Sequence, residues 1–365
     1  MSYIDKIFHS LWWFVTWRVV FFALVTYVSM LVFGHFGTKA KAQDTPTRWT
    51  ANIKPTIGGM VFYLGFCMAM LFVFGEDFPK RSWLFMFVAG TLAFLLGLWD
   101  DIKRISASRK MSGQIFIGLI VAMSGSMTLL FDIEGGHSLF TMSLEFAAII
   151  FIVVAIMNSV NMLDNMDGVA TISTIPAMIF PLMFGCSEMF VGSVFLTAMI
   201  GFLIFNWTPS KVYMGDSGSM LLGLIVAWMV LGSDHCGEVN IPQWNGLTRI
   251  VLLLGVGSIF IVDTLVVVIN RLRNGVSPAT GGRDHTTHNL FYLGMKQWQI
   301  AVLFVVLGCV QIFLVEKFVS DIQLYPTMSK VLAIAPITLY FLLLFSIHYF
   351  ISIRNLRAGK YSYVK

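Results

Sequence analysis

Charged side chains are scarce in this sequence of 365 residues. Only 12% of the residues are Asp, Glu, Lys or Arg, whereas soluble domains average about 25%. The mean hydropathy is correspondingly high, at +0.81. So few charges exclude an ordinary soluble globular fold. Because 57% of the residues are hydrophobic and many lie in runs of roughly 20 residues, the composition predicts a polytopic membrane protein.

Cysteine is also rare, and several catalytic motifs are missing. The four cysteines, at positions 67, 186, 236 and 309, are scattered and have no zinc-site spacing, so neither a zinc site nor a disulfide framework is expected. No HExxH, GxSxG or P-loop arrangement occurs, which leaves metalloproteolysis, serine-esterase chemistry and P-loop nucleotide hydrolysis without support. The basic residues behind the net charge of +5 lie in short loops between apolar runs, so nucleic-acid binding is not expected.

Hydropathy and length predict about eleven transmembrane helices in one bundle, with residues 1–365 forming a single integral-membrane domain. Several predicted spans are short, which suggests tilted packing or helix ends buried in protein. The predicted spans are 12–34, 57–75, 83–99, 114–131, 144–160, 169–185, 190–206, 218–233, 249–270, 299–316 and 331–353.

The distribution of basic residues predicts the orientation of this bundle. Of the 24 Lys and Arg residues, 17 fall in the loops that share a side of the membrane with the C-terminus, and seven lie elsewhere. The positive-inside rule therefore assigns the C-terminus to the cytoplasm, the N-terminus to the outside, and an anchoring role to the first helix. The sequence Ala40-Lys41-Ala42 resembles a signal-peptidase site, but cleavage there would conflict with the charge count.

Polar residues collect in the loops of the predicted cytoplasmic face. The densest segment, Asn158–Gly168, places three Asn and two Asp side chains directly after an apolar run. Without a Cys/His zinc site, these oxygen donors suit Mg²⁺ or Mn²⁺ together with phosphate, and the combination indicates phosphoryl transfer. The other segments are Lys54–Gly59, Asp100-Asp101, Asn206 with Met214–Ser219, and Arg271–His288.

Each segment also has a purely structural interpretation. An acid at a helix start can be an N-cap, and paired glycines in membrane helices usually serve close packing. These interpretations apply to Asp100-Asp101 as loop caps, Asp216 as an N-cap, Gly58-Gly59 as packing residues and His285 with His288 as interfacial residues. Asp263 lies inside the ninth span, where an acid is functional by default, although a hydrogen bond to a loop or helix end would also explain it.

Together these motifs resemble those of the polyprenyl-phosphate N-acetylhexosamine-1-phosphate transferases, over about residues 44–298. The matching elements, in family order, are Pro55-x-x-Gly58-Gly59, Asp100-Asp101, Asn158-x-x-Asn161-x-x-Asp164-x-x-Asp167-Gly168, Asn206 with Met214-Gly215-Asp216-x-Gly218-Ser219, and Asp284-His285-x-x-His288. The resemblance implies that a polyprenyl phosphate attacks the β-phosphorus of a UDP-sugar, which gives a polyprenyl-diphospho-sugar and UMP.

The resemblance also implies roles for individual residues. Asp100, Asp101, Asp164 and Asp167 are expected to be catalytic; Lys54, Asn158, Asn206, Arg283, His285 and His288, with the intramembrane Asp263, to bind substrate; and Asp216 with Asn161 to hold Mg²⁺ or Mn²⁺. Asp100 acts either as a base or by placing the lipid phosphate, which is already largely ionised near neutral pH. The expected partners are a UDP-sugar, undecaprenyl phosphate and the bacterial inner membrane, without nucleic acid; the resemblance leaves room for a homodimer.

The last loop bears on the donor sugar. The branch that transfers phospho-MurNAc-pentapeptide has a run of three histidines there, whereas this chain reads Asp284-His-Thr-Thr-His288, which is closer to the branch using UDP-GlcNAc and related donors. The expected reaction is transfer of GlcNAc-1-phosphate, or a close relative, at the first membrane step of a cell-surface glycan such as lipopolysaccharide. The alternatives are the peptidoglycan transferase and a cation-coupled transporter, which would place its acids near the bilayer midplane.

Overall fold

The computed structural model describes residues 54–74, 80–124, 139–186, 188–232, 246–324 and 330–363, together with Val28. Apart from Val28, the predicted first span and the Ala40-Lys41-Ala42 sequence lie outside these ranges. The described residues form eleven helices: α1 (Gly58–Phe74), α2 (Lys80–Lys103), α3 (Ala107–Ser124), α4 (Leu139–Leu163), α5 (Val169–Phe184), α6 (Met189–Asn206), α7 (Gly215–Leu231), α8 (Gly246–Arg273), α9 (Thr286–Tyr292), α10 (Gln297–Leu324) and α11 (Lys330–Arg357).

The helices agree with the predicted all-helical membrane fold. Ten of the eleven predicted spans coincide with a helix, while α9 was not predicted. Helix α3 begins at Ala107 rather than at residue 114, because hydropathy detects the apolar part of a helix and not its polar first turns. Helices α2, α4, α6, α8, α10 and α11 are long and apolar enough to cross a membrane, and α1, α5 and α7 are shorter apolar helices. The chain is therefore a polytopic membrane protein, and the count of eleven crossings stays a prediction.

Helix α7 lies at the centre of the bundle. All its residues except Asp216 are buried, and α1, α2, α4, α5 and α8 pack around it. Near its far end, the ring of Trp228 packs edge-on against Trp83 of α2, with ring centroids 4.8 Å apart. A helix that is apolar all round is the kind that other helices surround. The core of the bundle therefore fixes the position of Asp216, at the start of α7.

Glycines allow α1 and α2 to approach the start of α7 closely. A Cβ atom on Gly59 would clash with Ser217, and one on Gly97 would clash with the main chain of Asp216. The backbone N–H of Gly59 donates to the carbonyl oxygen of Met214 at 3.1 Å. Gly215 has a φ of 79°, which favours glycine. The paired glycines of α1 thus serve close packing, as their structural interpretation proposed.

The other end of α5 carries a disulfide bond. Helix α5 begins after Gly168, in the polar segment, and ends at Phe184. Cys186, just beyond that end, is disulfide-bonded, whereas the described Cys67 and Cys309 are free. The sequence analysis did not anticipate this bond. Its distance along α5 from the polar segment places it at the opposite end of the bundle.

Candidate active site

The ammonium group of Lys110, in the first turn of α3, is the centre of the polar end of the bundle. Its Nζ atom lies 2.8 Å from Asp100 Oδ2, 3.0 Å from Asp216 Oδ2 and 3.2 Å from Asn161 Oδ1. The ends of α2, α3, α4 and α7 therefore meet at one cation. Burial lowers the pKa of Lys110, but the carboxylates of Asp216 and Asp100 more than compensate and raise it above the ordinary lysine value. The ammonium group consequently stays charged.

Two amide side chains on α4 fix the surroundings of this cation. Asn161 donates from Nδ2 to Asp216 Oδ1 at 2.7 Å and to Ser219 Oγ at 2.8 Å. One turn earlier, Asn158 exchanges two hydrogen bonds with Gln114 of α3, at 2.8 and 3.3 Å. Asn161 therefore contacts Asp216, the other residue that was predicted to hold the metal, whereas Asn158, predicted to bind substrate, is paired with a neighbouring helix.

The adjacent acids Asp100 and Asp101 have different surroundings. Asp101 accepts hydrogen bonds from the backbone N–H of Asp216 at 2.8 Å and from the N–H and Oγ of Ser217 at 3.0 and 2.7 Å. It thus caps the start of α7, where a negative charge is favourable. Asp100 instead contacts Lys110 and accepts from the backbone N–H of Ile105 at 2.9 Å. The capping interpretation fits Asp101, and Asp100 is the acid that faces the cation.

The oxygen atoms around Lys110 fit a magnesium ion shared with phosphate. Oxygens of Asp100, Asp216 and Asn161 all lie within 3.2 Å of the ammonium nitrogen, so they converge on one positive charge. Among the described residues, no three His, Cys, Asp or Glu side chains are grouped closely enough to hold a metal by themselves. Phosphate oxygens and water would complete the shell, which is the usual way in which proteins bind Mg²⁺.

A second cluster surrounds Lys54, which precedes α1. Its Nζ donates to Ser210 Oγ at 2.8 Å, lies 3.5 Å from Asp167 Oδ2 and is 5.0 Å from the ring centroid of Tyr213. Asp167 also accepts from the backbone N–H of Ser210 at 2.9 Å. These contacts join the segment before α1, the connection between α4 and α5, and the connection between α6 and α7 at the same end of the bundle.

Asn206, at the end of α6, has both ends of its amide group engaged by main chain. Its Oδ1 accepts from the N–H of Gly168 at 2.8 Å, and its Nδ2 donates to the carbonyl oxygen of Val212 at 2.8 Å. The side chain is only 3% exposed. Asn206 therefore shapes the two loops beside it and does not present its amide to a substrate.

The loop between α8 and α9 is built around a buried ion pair. Arg271 donates from Nε and Nη2 to the two carboxylate oxygens of Asp284, at 2.9 and 2.7 Å. Its Nη1 also donates to the carbonyl oxygen of Pro278 at 2.8 Å. Paired hydrogen bonds of this kind hold both partners in a fixed orientation. Arg283, next to the pair, is exposed and so can meet an anionic substrate.

Asp263, on α8, holds the start of α9. Its carboxylate lies 2.8 Å from His285 Nδ1 and accepts from the N–H and Oγ1 of Thr286 at 2.6 and 2.7 Å. The rings of His285 and His288 are both buried, with centroids 5.8 Å apart. Asp263 thus makes the hydrogen bonds to a loop that its structural interpretation predicts.

The segment Asn158–Gly168 connects the cation cluster, formed by Asp100, Lys110, Asn161 and Asp216, to the histidine loop, residues 283–289. Its Asn161 contacts Asp216, and its Asn165 accepts a hydrogen bond from Oγ1 of Thr287. Asp164, predicted to be catalytic, lies between these two asparagines and is partly exposed. The structure therefore brings all five sequence segments to one end of the bundle.

Three residues at this end were missed by the sequence analysis: Lys110, Gln114 and His348, of which the last contacts Thr286. Lys110 and Gln114 are four residues apart and therefore lie on the same face of α3. That spacing was a usable signal, but Lys110 had been counted only as a loop charge. His348 gave no comparable signal, because it stands alone in an apolar run.

The comparison with known families covers the cation cluster. A profile of glycosyl transferase family 4 matches residues 83–234, which include Asp100, Lys110, Asn161 and Asp216. In this central part the chain is similar to glycosyl transferase family 4. The predicted resemblance is thereby confirmed. The chain is a multi-pass membrane protein that is similar to phospho-sugar transferases, and that family implies a UDP-sugar donor and a polyprenyl phosphate acceptor. The transporter alternative is set aside.

The individual relatives of this chain fall into two named classes. It is 26% identical over 317 residues to a decaprenyl-phosphate N-acetylglucosaminephosphotransferase of Mycolicibacterium smegmatis, which covers 77% of this chain and 76% of the relative. The protein of the same name from Mycobacterium leprae is 24% identical, covering 77% and 78%. A phospho-N-acetylmuramoyl-pentapeptide-transferase of Staphylococcus aureus is 29% identical over 301 residues, covering 75% and 88%.

Proposed function

We propose that the chain transfers GlcNAc-1-phosphate from UDP-GlcNAc to undecaprenyl phosphate at the cytoplasmic face of a bacterial inner membrane, releasing UMP. Overall identity does not separate the two classes of relatives, at 26% and 29%. The histidine loop supports the choice, because this chain has threonines where the peptidoglycan branch has a histidine run. Thr286 and Thr287 are both committed to protein contacts, with Asp263 and Asn165.

The cation cluster is suited to the displacement at phosphorus. An oxygen of the lipid phosphate attacks the β-phosphorus of the donor, the bond from that phosphorus to the bridging oxygen breaks, and UMP leaves. Lys110 offsets the negative charge of the phosphates, and Asp100 places the acceptor beside it. Asp216, Asp100 and Asn161 would hold a Mg²⁺ ion, whose charge neutralises the diphosphate. Positioning and charge neutralisation supply most of the catalysis in such reactions.

Two independent observations support a cytoplasmic site. Most basic residues lie in the loops on the C-terminal side, which the positive-inside rule assigns to the cytoplasm. Cys186, at the opposite end of α5 from the polar segment, is disulfide-bonded, and disulfides persist in oxidising compartments such as the periplasm. Both observations support an orientation in which the polar end faces the reducing side.

Donor competition in purified membranes tests the proposal. Membranes that contain the chain and Mg²⁺ should release UMP from UDP-GlcNAc only when undecaprenyl phosphate is present, and not from UDP-MurNAc-pentapeptide. Asp216→Ala should abolish the release. Asp321→Ala, on α10 and paired only with Lys317 in the described contacts, is the matched control and should keep it. Release from the pentapeptide donor alone would overturn the donor assignment, and full activity of Asp216→Ala would overturn the metal assignment.

A further inference from the structure

Helix α11 carries one buried histidine that contacts the histidine loop. His348 is 4% exposed, although Ile347 beside it is 49% exposed and much of α11 lies on the outside of the bundle. The ring nitrogens Nδ1 and Nε2 of His348 lie 2.9 and 3.2 Å from Thr286 Oγ1. A polar ring buried on an apolar membrane helix is costly unless it is hydrogen-bonded, so this contact calls for a reason.

The direction of the hydrogen bonds follows from the chemistry of threonine. A hydroxyl group has one proton, and Thr286 donates it to Asp263 Oδ1 at 2.7 Å. Toward His348 the hydroxyl oxygen can therefore only accept, so a ring N–H of His348 is the donor. The other oxygen of Asp263 lies 2.8 Å from His285 Nδ1. One chain of hydrogen bonds thus runs from His348 through Thr286 and Asp263 to His285.

This chain fixes one ring nitrogen of His285 and leaves the other for a ligand. A carboxylate at Nδ1 holds the proton there and sets the orientation of the ring, so Nε2 is left as the nitrogen that faces a substrate. Within the described part of the molecule, Nε2 of His285 has no protein hydrogen bond. Because members of such chains polarise one another, the loss of a distant donor weakens the contacts further along.

We infer that His348 is a positioning residue, which acts through Thr286 and Asp263 to hold His285 toward the diphosphate of the donor. The inference rests on the proposed function for the identity of that substrate. The attachment of α11 to the loop does not depend on His348 alone. Asn355, two turns further along α11, already donates to the carbonyl oxygen and Oδ1 of Asn289, each at 3.0 Å.

Two replacements of His348 separate hydrogen bonding from packing. His348→Asn places an amide N–H where the ring has Nδ1, but it fills less space. His348→Leu fills a similar volume without a donor. Ile347→Ala, at the adjacent exposed position, is the matched control. Each variant of the full chain is purified in lipid nanodiscs, and kcat and the donor KM are measured from UMP release with UDP-GlcNAc.

We expect His348→Leu to lower kcat about five- to tenfold, the usual effect of one lost hydrogen bond, with the donor KM changed less than about twofold. His348→Asn and Ile347→Ala should keep kcat within about twofold of the unmodified chain. The opposite order, with the leucine variant active and the asparagine variant impaired, would show a packing role and overturn the inference. Equal activity of all variants would overturn it as well.

A second measurement does not depend on the substrate. The backbone N–H of Thr286 donates to Asp263 Oδ1 at 2.6 Å, so its hydrogen exchange reports on the same chain of contacts. Exchange in the peptide containing Thr286 should be faster in His348→Leu and unchanged in His348→Asn. If the unmodified chain released no UMP from UDP-GlcNAc, the proposed function would fail while this measurement still decided the inference; equal exchange in both variants would overturn it.

Discussion

Replacing Lys110 by methionine removes the cation that joins Asp100 to Asp216 while it keeps most of the length of the side chain. The pair with Asp100 is well shielded from water, since the two side chains are 15% and 12% exposed and their charged atoms are 2.8 Å apart. Removing one partner of such a pair costs about 3–5 kcal/mol. The Asp216 side chain is 35% exposed, so its pair adds little to that figure. We expect the free energy of unfolding to fall by about 3 kcal/mol in the absence of divalent ions.

The affinity for magnesium should rise in Lys110→Met, although the stability without divalent ions falls. Without the ammonium group, the carboxylates of Asp100 and Asp216 repel each other, and a divalent cation relieves the repulsion. The Mg²⁺ concentration that gives half of the maximal thermal stabilisation should therefore fall about tenfold in Lys110→Met. The rate of UMP release should still fall at least about 100-fold, because the positive charge beside the reacting phosphates is gone.

Thermal unfolding in EDTA and across a MgCl₂ series, together with UMP release, measures all three effects. Lys110→Arg keeps the positive charge and is the matched control, so its melting temperature in EDTA should stay close to that of the unmodified chain. If Lys110→Met melted in EDTA at the temperature of the unmodified chain and needed the same Mg²⁺ concentration, the ammonium group would not be neutralising the two acids and the reasoning would be refuted.

Three further experiments test the cap of α7, the close packing at Gly215 and the disulfide bond of Cys186. Asp101→Asn weakens the charged cap of α7 and should lower the free energy of unfolding by about 1–2 kcal/mol in thermal melts; an unchanged melt would contradict the capping role. Gly215→Ala should give no monodisperse protein on size exclusion, because a Cβ there meets neighbouring side chains. Gly359→Ala is the control: Gly359 has a similar φ, 67°, but a Cβ there would meet no neighbouring atom. This variant should lower the free energy of unfolding by only about 1–2 kcal/mol. Cys186 should resist alkylation in the denatured chain until a reductant is added, whereas the free cysteines should react at once; alkylation without reductant would argue against the disulfide.

The general placement of the site could be predicted from the sequence, for a simple physical reason. Apolar runs of membrane length become helices, and consecutive helices alternate in direction, so segments such as Asp100-Asp101 and Asp216 reach the same end of the bundle. The hydrogen bonds from the N–H groups of Asp216 and Ser217 to Asp101 are the result. The sequence could not show that Asp101 and Asp100 divide capping and cation contact between them.

The contacts that could not be predicted depend on how each helix is rotated about its own axis and on how far it is shifted along the bundle. Lys110 meets Asn161 and Asp216, which lie 51 and 106 positions away, and a count of basic residues gives every lysine the same weight. His348 meets Thr286 across 62 positions. In an apolar run that becomes an outer helix, hydropathy does not indicate which polar residues turn inward.

The burial of α7 on every side has a consequence for how donor preference can change. Asp216 lies in the first turn of a helix that five neighbouring helices enclose. The position of this carboxylate is therefore fixed by the core of the bundle, and few substitutions around it would be tolerated. The histidine loop is instead held by separate polar contacts, with Arg271 and Asp263 of α8, with Asn165, and with His348 and Asn355 of α11. A graft intended to alter the sugar would succeed only if it carried those anchoring partners from three separate parts of the chain along with the loop itself.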